Sequence, residues 1–326
     1  MTYNDQIYKN VIRSLKELDM YDFIKYIETV NRESPKDDEK SIMWKEQCFI
    51  NFPILYLASI YLYDYAKSLN YTTFLFATRD CCHWYKVFHK LYPNENIHYF
   101  HCSRNMFKNG INNPDFKKYV KSVVKDVNTT IFIDLHGTGL RMFDYFSTEF
   151  GKVPHCFLLS ARYKDYTKFH NVSRSYYKQG KLINLVFDAR GSPIEMLNYE
   201  TIGTLQNYNK IGPIRDKLEY DIKLVKNYHT CIDTLLNKIP DPPNLNRDEL
   251  HDTIKKIFKG ILKEKPIISK YIVHIANHKK TPIVSTKNET LGNLNFTNIN
   301  SKNTYYEIIW NDEYKIIINR TENGNN

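Results

Sequence analysis

The spacing of hydrophobic and polar positions changes twice along the chain. In the first 45 residues Ile7, Val11, Ile12, Leu15 and Leu18 recur three and four apart, and Phe23, Ile24 and Ile27 continue the stripe, so amphipathic helix is predicted. Asn31–Lys40 (NRESPKDDEK) holds Pro35 among clustered charges and reads as a loop. Phe49–Leu69 is almost continuously apolar and predicts a buried helix opened near Pro53.

The middle of the chain has a different pattern. Tyr71–Thr78, Ile97–Ser103, Thr129–Asp134 and Val153–Ala161 are apolar runs of strand length. Between them lie the helical stretches Trp84–Leu91 and Leu140–Phe150, with Phe116–Lys125 as helix or connector. Continuous apolar strands alternating with helices predict a parallel sheet covered on both faces. Farther on, Asn184–Asp188 is a short strand candidate, Asp216–Lys238 a long helix ended by Pro240, Pro242 and Pro243, and Leu250–Leu262 another amphipathic helix. Tyr305–Trp310 and Tyr314–Asn319 flank Asn311–Glu313 and predict a β-hairpin. The expected architecture is therefore α/β and Rossmann-like. A helical region over 1–70 packs on an α/β core over 71–215, followed by a helical region over 216–298 and a C-terminal hairpin and tail over 299–326.

Composition narrows the class. The chain has 326 residues, 42% of them hydrophobic and 25% charged, with 26 Tyr and 18 Phe. That is enough to build a full core, and it excludes long disorder, which is poor in aromatics. A mean hydropathy of −0.53 and the lack of a long uncharged apolar run argue against a membrane-spanning helix. The opening MTYNDQIYKN carries no apolar signal core, so a cytoplasmic protein is expected. Abundant Lys, Asn, Ile and Tyr with scarce Gly and Ala fit an AT-rich coding sequence. The formal charge of +10 is compatible with anionic partners, and equally with a Lys-rich solvated surface. The six cysteines (Cys48, Cys81, Cys82, Cys102, Cys156 and Cys231) form no C-x-x-C pair, and no H-E-x-x-H occurs, so zinc is not supported and reduced, mostly buried thiols are expected.

Candidate chemistry gathers at strand ends. In an open parallel sheet, ligands bind outside the carboxyl ends of the strands. Three such ends carry polar clusters: Thr78, Arg79 and Asp80; Ser103 and Arg104; and Asp134, His136, Thr138 and Gly139. Ile131–Arg141 (IFIDLHGTGLR) is the sharpest motif. A buried strand delivers the Asp134 carboxylate, and a turn with Gly137, Thr138 and Gly139 opens a helix that contains Arg141. Free helix-start amides attract phosphate, the Thr hydroxyl adds a donor, and a carboxylate can hold ribose hydroxyls or Mg²⁺. The plainer alternative is Thr138 as a helix cap with glycines for turn geometry. Cys81, at a possible helix start, is a minor nucleophile candidate. Lys117, Lys118, Lys121 and Lys125 form a basic helix face around Tyr119; nucleic acid is the less favoured partner there and a solvated face the favoured reading.

The same residues resemble two families. Asp134, the three residues LHG and Thr138–Gly139 resemble the second half of the phosphoribosyl-pyrophosphate loop of type I phosphoribosyltransferases, with Ile133 standing where that family has a first acidic residue. The resemblance covers about residues 71–165 and implies a phosphoribosyltransferase-like sheet. In wording, the chain is closer to a domain of bacterial polysaccharide-biosynthesis proteins labelled haloacid-dehalogenase-like. FLFATRDCC (Phe74–Cys82), Ser103–Arg104, DLHGTG (Asp134–Gly139) and SPIEMLNYETIGTLQNY (Ser192–Tyr208) follow its motifs in order, and Glu195 enters through the last of them. Asp134–Thr138 also reads D-x-H-G-T, similar to the nucleophile motif of haloacid-dehalogenase phosphatases, in which His136 would serve as general acid.

These resemblances imply a protein that binds, and in the enzymatic reading transforms, a phosphorylated sugar or nucleotide. Asp134 would meet ribose hydroxyls or Mg²⁺; Gly137, Thr138 and Gly139 the phosphate; and Arg79 and Arg104 the remaining charge. Transferase chemistry ranks above an Asp134-dependent phosphohydrolase. A non-catalytic binding or assembly module is the further alternative.

Overall fold

A computed structural model of the protein describes residues 3–36, 38–161, 166–187, 193–198, 200–216, 222–264, 304–310 and 316–322. In chain order the elements are α1 (Tyr3–Lys16), α2 (Tyr21–Asn31), α3 (Asp38–Glu46), a π-helical turn (Gln47–Asn51), α4 (Phe52–Ser68), β1 (Thr73–Ala77), α5 (Cys82–Leu91), β2 (Asn96–Phe100), α6 (Arg104–Asn109), α7 (Pro114–Val123), β3 (Thr130–Gly137), α8 (Leu140–Phe150), β4 (His155–Ala161), α9 (Asn171–Lys178), β5 (Leu182–Phe187), α10 (Pro193–Met196), β6 (Leu205–Asn209), β7 (Gly212–Arg215), α11 (Ile222–Asn237), α12 (Arg247–Glu264), β8 (Thr304–Trp310) and β9 (Ile316–Glu322). Asp188, Ser192, Tyr199, residues 217–221, the stretch 265–303 with the 298/299 boundary, residues 311–315 and residues 323–326 lie outside the described residues.

The predicted α/β class with a parallel sheet flanked by helices holds, as does the C-terminal antiparallel hairpin β8–β9. Two compact units are present, with their boundary inside α4. One comprises Ala58–Phe187 and Ile202–Leu218; the other comprises Met1–Leu57, Asp188–Thr201 and Glu219–Asn326.

The first of these contains a five-stranded sheet in the order β2-β1-β3-β4-β5, all parallel. β1, β3 and β4 are buried almost throughout, which is why they read as unbroken apolar runs. Alternation sends Phe76 and Phe157 to one face, where they meet Trp84 of α5 and, for Phe157, Tyr61 and Tyr65 of α4. Phe132 points to the other face and packs on Phe107 of α6, while Phe143 of α8 stacks on Tyr176 of α9 at 4.5 Å. With helices on both faces, the strand order reverses direction between β1 and β3, so the topological switch point lies between these two strands.

In the other unit, Phe23 of α2 packs between Phe52 and Tyr56 of α4 at 5.7 and 4.3 Å. Buried amides join the α10 segment to the π-helical turn. Gln47 Nε2 donates to Leu197 O (2.7 Å), Asn51 Nδ2 to Gln47 Oε1 (2.7 Å) and Asn198 Nδ2 to Asn51 Oδ1 (2.9 Å). Beside Gln47, Glu46 is fully buried and neither carboxylate oxygen has a hydrogen-bond partner among the described residues. Burial alone pushes its pKa well above the usual carboxylate range.

That carboxyl group sets a pH dependence of definite sign. The fold holds the proton more tightly than the unfolded chain does. Its contribution is therefore complete below the unfolded pKa near 4.5 and is lost as pH rises toward the folded value. Glu46→Gln is expected to raise the denaturation midpoint, by an amount that grows from pH 5 to pH 8 in urea titrations. An advantage that shrinks with rising pH would refute the assignment.

Candidate active site

β1 delivers its chain into a turn, Thr78–Asp80, that is bound to the end of β2. Thr78 N donates to Phe100 O (3.1 Å), Thr78 Oγ1 donates to Cys102 O (3.0 Å) and accepts from Cys102 N (3.2 Å), and Tyr99 Oη donates to Arg79 O (3.0 Å). The Thr78–Arg79 peptide is cis. These bonds hold Arg79 and Asp80 beside the segment that carries Ser103 and Arg104. The Arg79 guanidinium has no ion pair or hydrogen bond among the described residues.

β3 extends to Gly137, three residues past the strand end that the sequence pattern predicts. Pairing with β4 continues through His136↔Ser160 and Gly137↔Ala161, and His136 Nδ1 lies 2.7 Å from Ser160 Oγ. A polar residue paired in this way is compatible with a buried strand. Asp134 is thus inside the strand, on the same face as His136, which is buried. Asp134 Oδ1 accepts the Leu135 amide at 2.9 Å, and a Cβ added to Gly137 would stand 3.6 Å from Asp134 Oδ2.

Two carboxylates influence one another across the switch point. Burial first and the nearby Asp80 charge second push the Asp134 pKa up to about 7; the Leu135 amide, Arg104 and the His136 amide act in the opposite direction. Asp80, just after β1, and Arg104, just after β2, therefore both act on the charge of Asp134 in β3.

After Gly137 the chain enters α8. The cap is Gly139, at φ +68°, with no side-chain cap hydrogen bond, so the reading of Thr138 as the cap is corrected. The Thr138 hydroxyl has no hydrogen-bond partner among the described residues. A Cβ on Gly139 would stand 2.8 Å from Phe143 Cε2 and 3.0 Å from Cys156 Sγ, so both backbone angle and space demand glycine. The leading amides of α8 lack intrahelical partners, as at any helix start.

Other candidates have different surroundings. Ser103 caps α6, accepting from Met106 N (3.0 Å), and donates to Leu205 O of β6 (2.6 Å). Arg104, first in α6, is exposed. Arg141 faces solvent with a 3.5 Å contact to Asp144. Glu195 lies on α10, in the helical unit. The expectation that a helix start favours a Cys81 thiolate is overturned: Cys81 is fully buried, its thiol donates to Ile133 O (3.6 Å), and burial with Asp134 and Asp80 pushes its pKa well up. On the basic face of α7, Lys117 and Lys121 both pair with the largely buried Glu149, at 2.6 and 3.0 Å. Half of that stripe thus serves packing of α7 on α8.

The sequence pattern missed the β6–β7 hairpin, which brings Arg215 to the same edge. Arg215 Nη1 donates to Gly203 O (3.0 Å) and Nη2 lies 2.9 Å from His101 Nδ1. Its signal was Asn209 and Gly212 between two short runs. Asn209 Oδ1 accepts from the amides of Ile211 (2.9 Å) and Gly212 (3.1 Å) in a side-chain-stabilised turn.

Two variants test this geometry. Gly139→Ala is expected to destabilise the protein by about 2–4 kcal/mol through steric overlap and the left-handed backbone, read from urea midpoints. Asp134 in the fold binds its proton more tightly than in the unfolded chain, so its contribution is whole below about pH 4, declines up to about pH 7 and is flat above. Asp134→Asn should therefore be more stable than wild type at pH 8, by on the order of 2–4 kcal/mol, and equal to it near pH 4. The chain matches no protein-family model and no curated protein.

Proposed function

We propose that the sheet-containing unit binds a phosphorylated small molecule, a sugar phosphate or nucleotide, at the carboxyl edge between β1 and β3. One observation carries the reading. At the switch point, the start of α8 stands at the same sheet edge as a pair of carboxylates, with a Thr138 hydroxyl and an Arg79 guanidinium that have no hydrogen-bond or ionic partner among the described residues. Phosphate oxygens would take the α8 amides and the Thr138 hydroxyl, and Arg79 and Arg104 would carry the remaining charge. Gly137 and Gly139 let the ligand approach the backbone closely.

The donor set at Asp80 and Asp134 suits Mg²⁺, a hard cation that is bound through one or two carboxylates plus phosphate oxygens. When bound, it would neutralise phosphate charge and bridge the ligand to the protein. A cation there would displace the proton that Asp134 shares with solvent near pH 7. Reaction at this site is better read as transfer from a phosphorylated sugar, the type I phosphoribosyltransferase-like reading, than as phosphate hydrolysis through Asp134. Burial that raises the Asp134 pKa lowers the ionised fraction that a nucleophilic carboxylate needs. No helix among the described residues is long and apolar enough to cross a membrane.

Thermal shift with phosphoribosyl pyrophosphate, nucleoside monophosphates, nucleotide sugars and the matching nucleosides, with and without Mg²⁺, tests the proposal. Stabilisation is expected from phosphorylated members only, with dephosphorylation weakening binding at least ~10-fold. Arg104→Ala should remove much of the shift while leaving the unliganded melting temperature near wild type. A panel that is silent throughout, or one in which nucleosides stabilise as well as nucleotides, would sink the reading.

A further inference from the structure

We infer that Cys48 and Cys231 are a covalent modification site of the helical unit: hydrogen peroxide converts the two thiols into an internal disulfide that ties the π-helical turn to α11. The inference does not depend on the proposed ligand.

The two sulfurs come from positions 183 residues apart and lie 3.7 Å from one another. Cys48 belongs to the π-helical turn Gln47–Asn51 and Cys231 to α11, and both are in the unit that comprises Met1–Leu57, Asp188–Thr201 and Glu219–Asn326. A π-helical turn inserts a residue into the regular helix and so re-aims the side chains it carries; such turns are rare and occur frequently at functional sites. All five residues of this one are buried. Gln47 and Asn51 are taken up by the amide bonds to Leu197 and Asn198, while Cys48 meets α11. On the α11 side, Cys231 Sγ donates to Trp44 O at 3.5 Å, which occupies its proton. The Cys48 thiol is then the donor in the sulfur–sulfur contact, and the two sulfurs point at one another. To reach bonding distance they must close by about 1.7 Å, a movement shared between two side chains.

The chemistry needs only peroxide and the two thiols. One sulfur, as its thiolate, attacks a peroxide oxygen. The O–O bond breaks, a sulfenic acid forms, and the expelled hydroxide leaves as water with the thiol's proton. The other sulfur then attacks that sulfur. The S–S bond forms, the S–O bond breaks, and the second hydroxide leaves as water with the second proton. The thiols lose two electrons in all, and one peroxide is reduced to two waters. Both thiols are fully buried, and burial together with the hydrogen bond to Cys48 pushes the Cys231 pKa well up. In the closed unit they are therefore slow to react, and peroxide, small and uncharged, reaches them as the unit opens locally. After reclosure the same core shields the disulfide from bulky reductants. A cross-link between residues so far apart in sequence removes much of the entropy of the unfolded chain, so the oxidised unit is the more stable form.

Peptide mapping of the whole chain after hydrogen peroxide treatment in native buffer, with the remaining thiols alkylated in denaturant, tests the inference. The main cross-link is expected to join the Cys48 and Cys231 peptides. The melting temperature should rise by about 5–10 °C on oxidation. The bond should persist in dithiothreitol under native conditions and be lost in dithiothreitol with urea. Cys48→Ala, compared before and after peroxide, should show neither the cross-link nor the rise. Should that variant not fold, the mapping of the wild-type chain and its dependence on reductant and urea decide alone. Recovery of both cysteines as free thiols or as sulfinic acids would overturn the inference. So would a main cross-link between other cysteines, one that forms only when peroxide is added in denaturant, one that dithiothreitol removes as fast without urea as with it, or a melting temperature that does not rise.

Discussion

Parallel pairing of β1 with β3 is the constraint from which the rest of the carboxyl edge follows. It brings two chain segments more than fifty residues apart to the same level of the sheet, so that the turn after β1 and the last residues of β3 face one another. Because the strand order reverses at this pair, the connections on either side of it run in opposite directions, the place where open parallel sheets take ligands. A carboxylate on each side then becomes an electrostatic problem. Ionising either Asp80 or Asp134 raises the cost of ionising the other.

A fold keeps such a pair only at a cost in stability. Burial of Asp134 raises its pKa to about 7, and Arg104 relieves that only in part, because it stands exposed on the first turn of a six-residue helix. The neighbouring polar groups tie the surrounding segments to one another. Thr78 binds the Cys102 backbone, Ser103 binds the β6 carbonyl, and Tyr119 receives the His101 amide at 2.8 Å. The scaffold around the edge is thus tied together by its own hydrogen bonds, and within it burial holds Asp134 at a raised pKa.

The legible and illegible parts of this architecture divide on physical lines. β1, β3 and β4 were readable because strands buried on both faces have no polar side to interrupt them. The class followed from their alternation with helices. The order of strands was not readable, because apolar strands carry no pairing code in their sequence. β3 ran longer than its pattern implied, since His136 looks polar in sequence and only Ser160, across the sheet, makes it a strand residue. α6, six residues long, and the hairpin Leu205–Arg215 fall below the length at which periodicity speaks. Of the candidate site, the three strand-end clusters were visible as sequence. The charge interaction between Asp80 and Asp134, and the presence of Arg215, depend on contacts between distant segments.

The loop between β3 and α8 shows why the local motif persists although its detailed reading changed. A threonine cap would have consumed the Thr138 hydroxyl on the helix amides. Gly139 takes that position instead, in a left-handed conformation and packed so closely on Phe143 and Cys156 that no side chain fits. Capping is thereby achieved by backbone geometry alone, and the hydroxyl one residue earlier is released. The tight packing of Gly139 also fixes the direction of the first turn of α8 against β4. The helix start thus points where the sheet, not the loop, determines. In this arrangement a glycine demanded by steric fit supplies rigidity, and the hydroxyl of the residue before it is left out of the cap. Sequence spacing alone leaves Thr138 open as a phosphate donor or as the cap, with the glycines serving turn geometry.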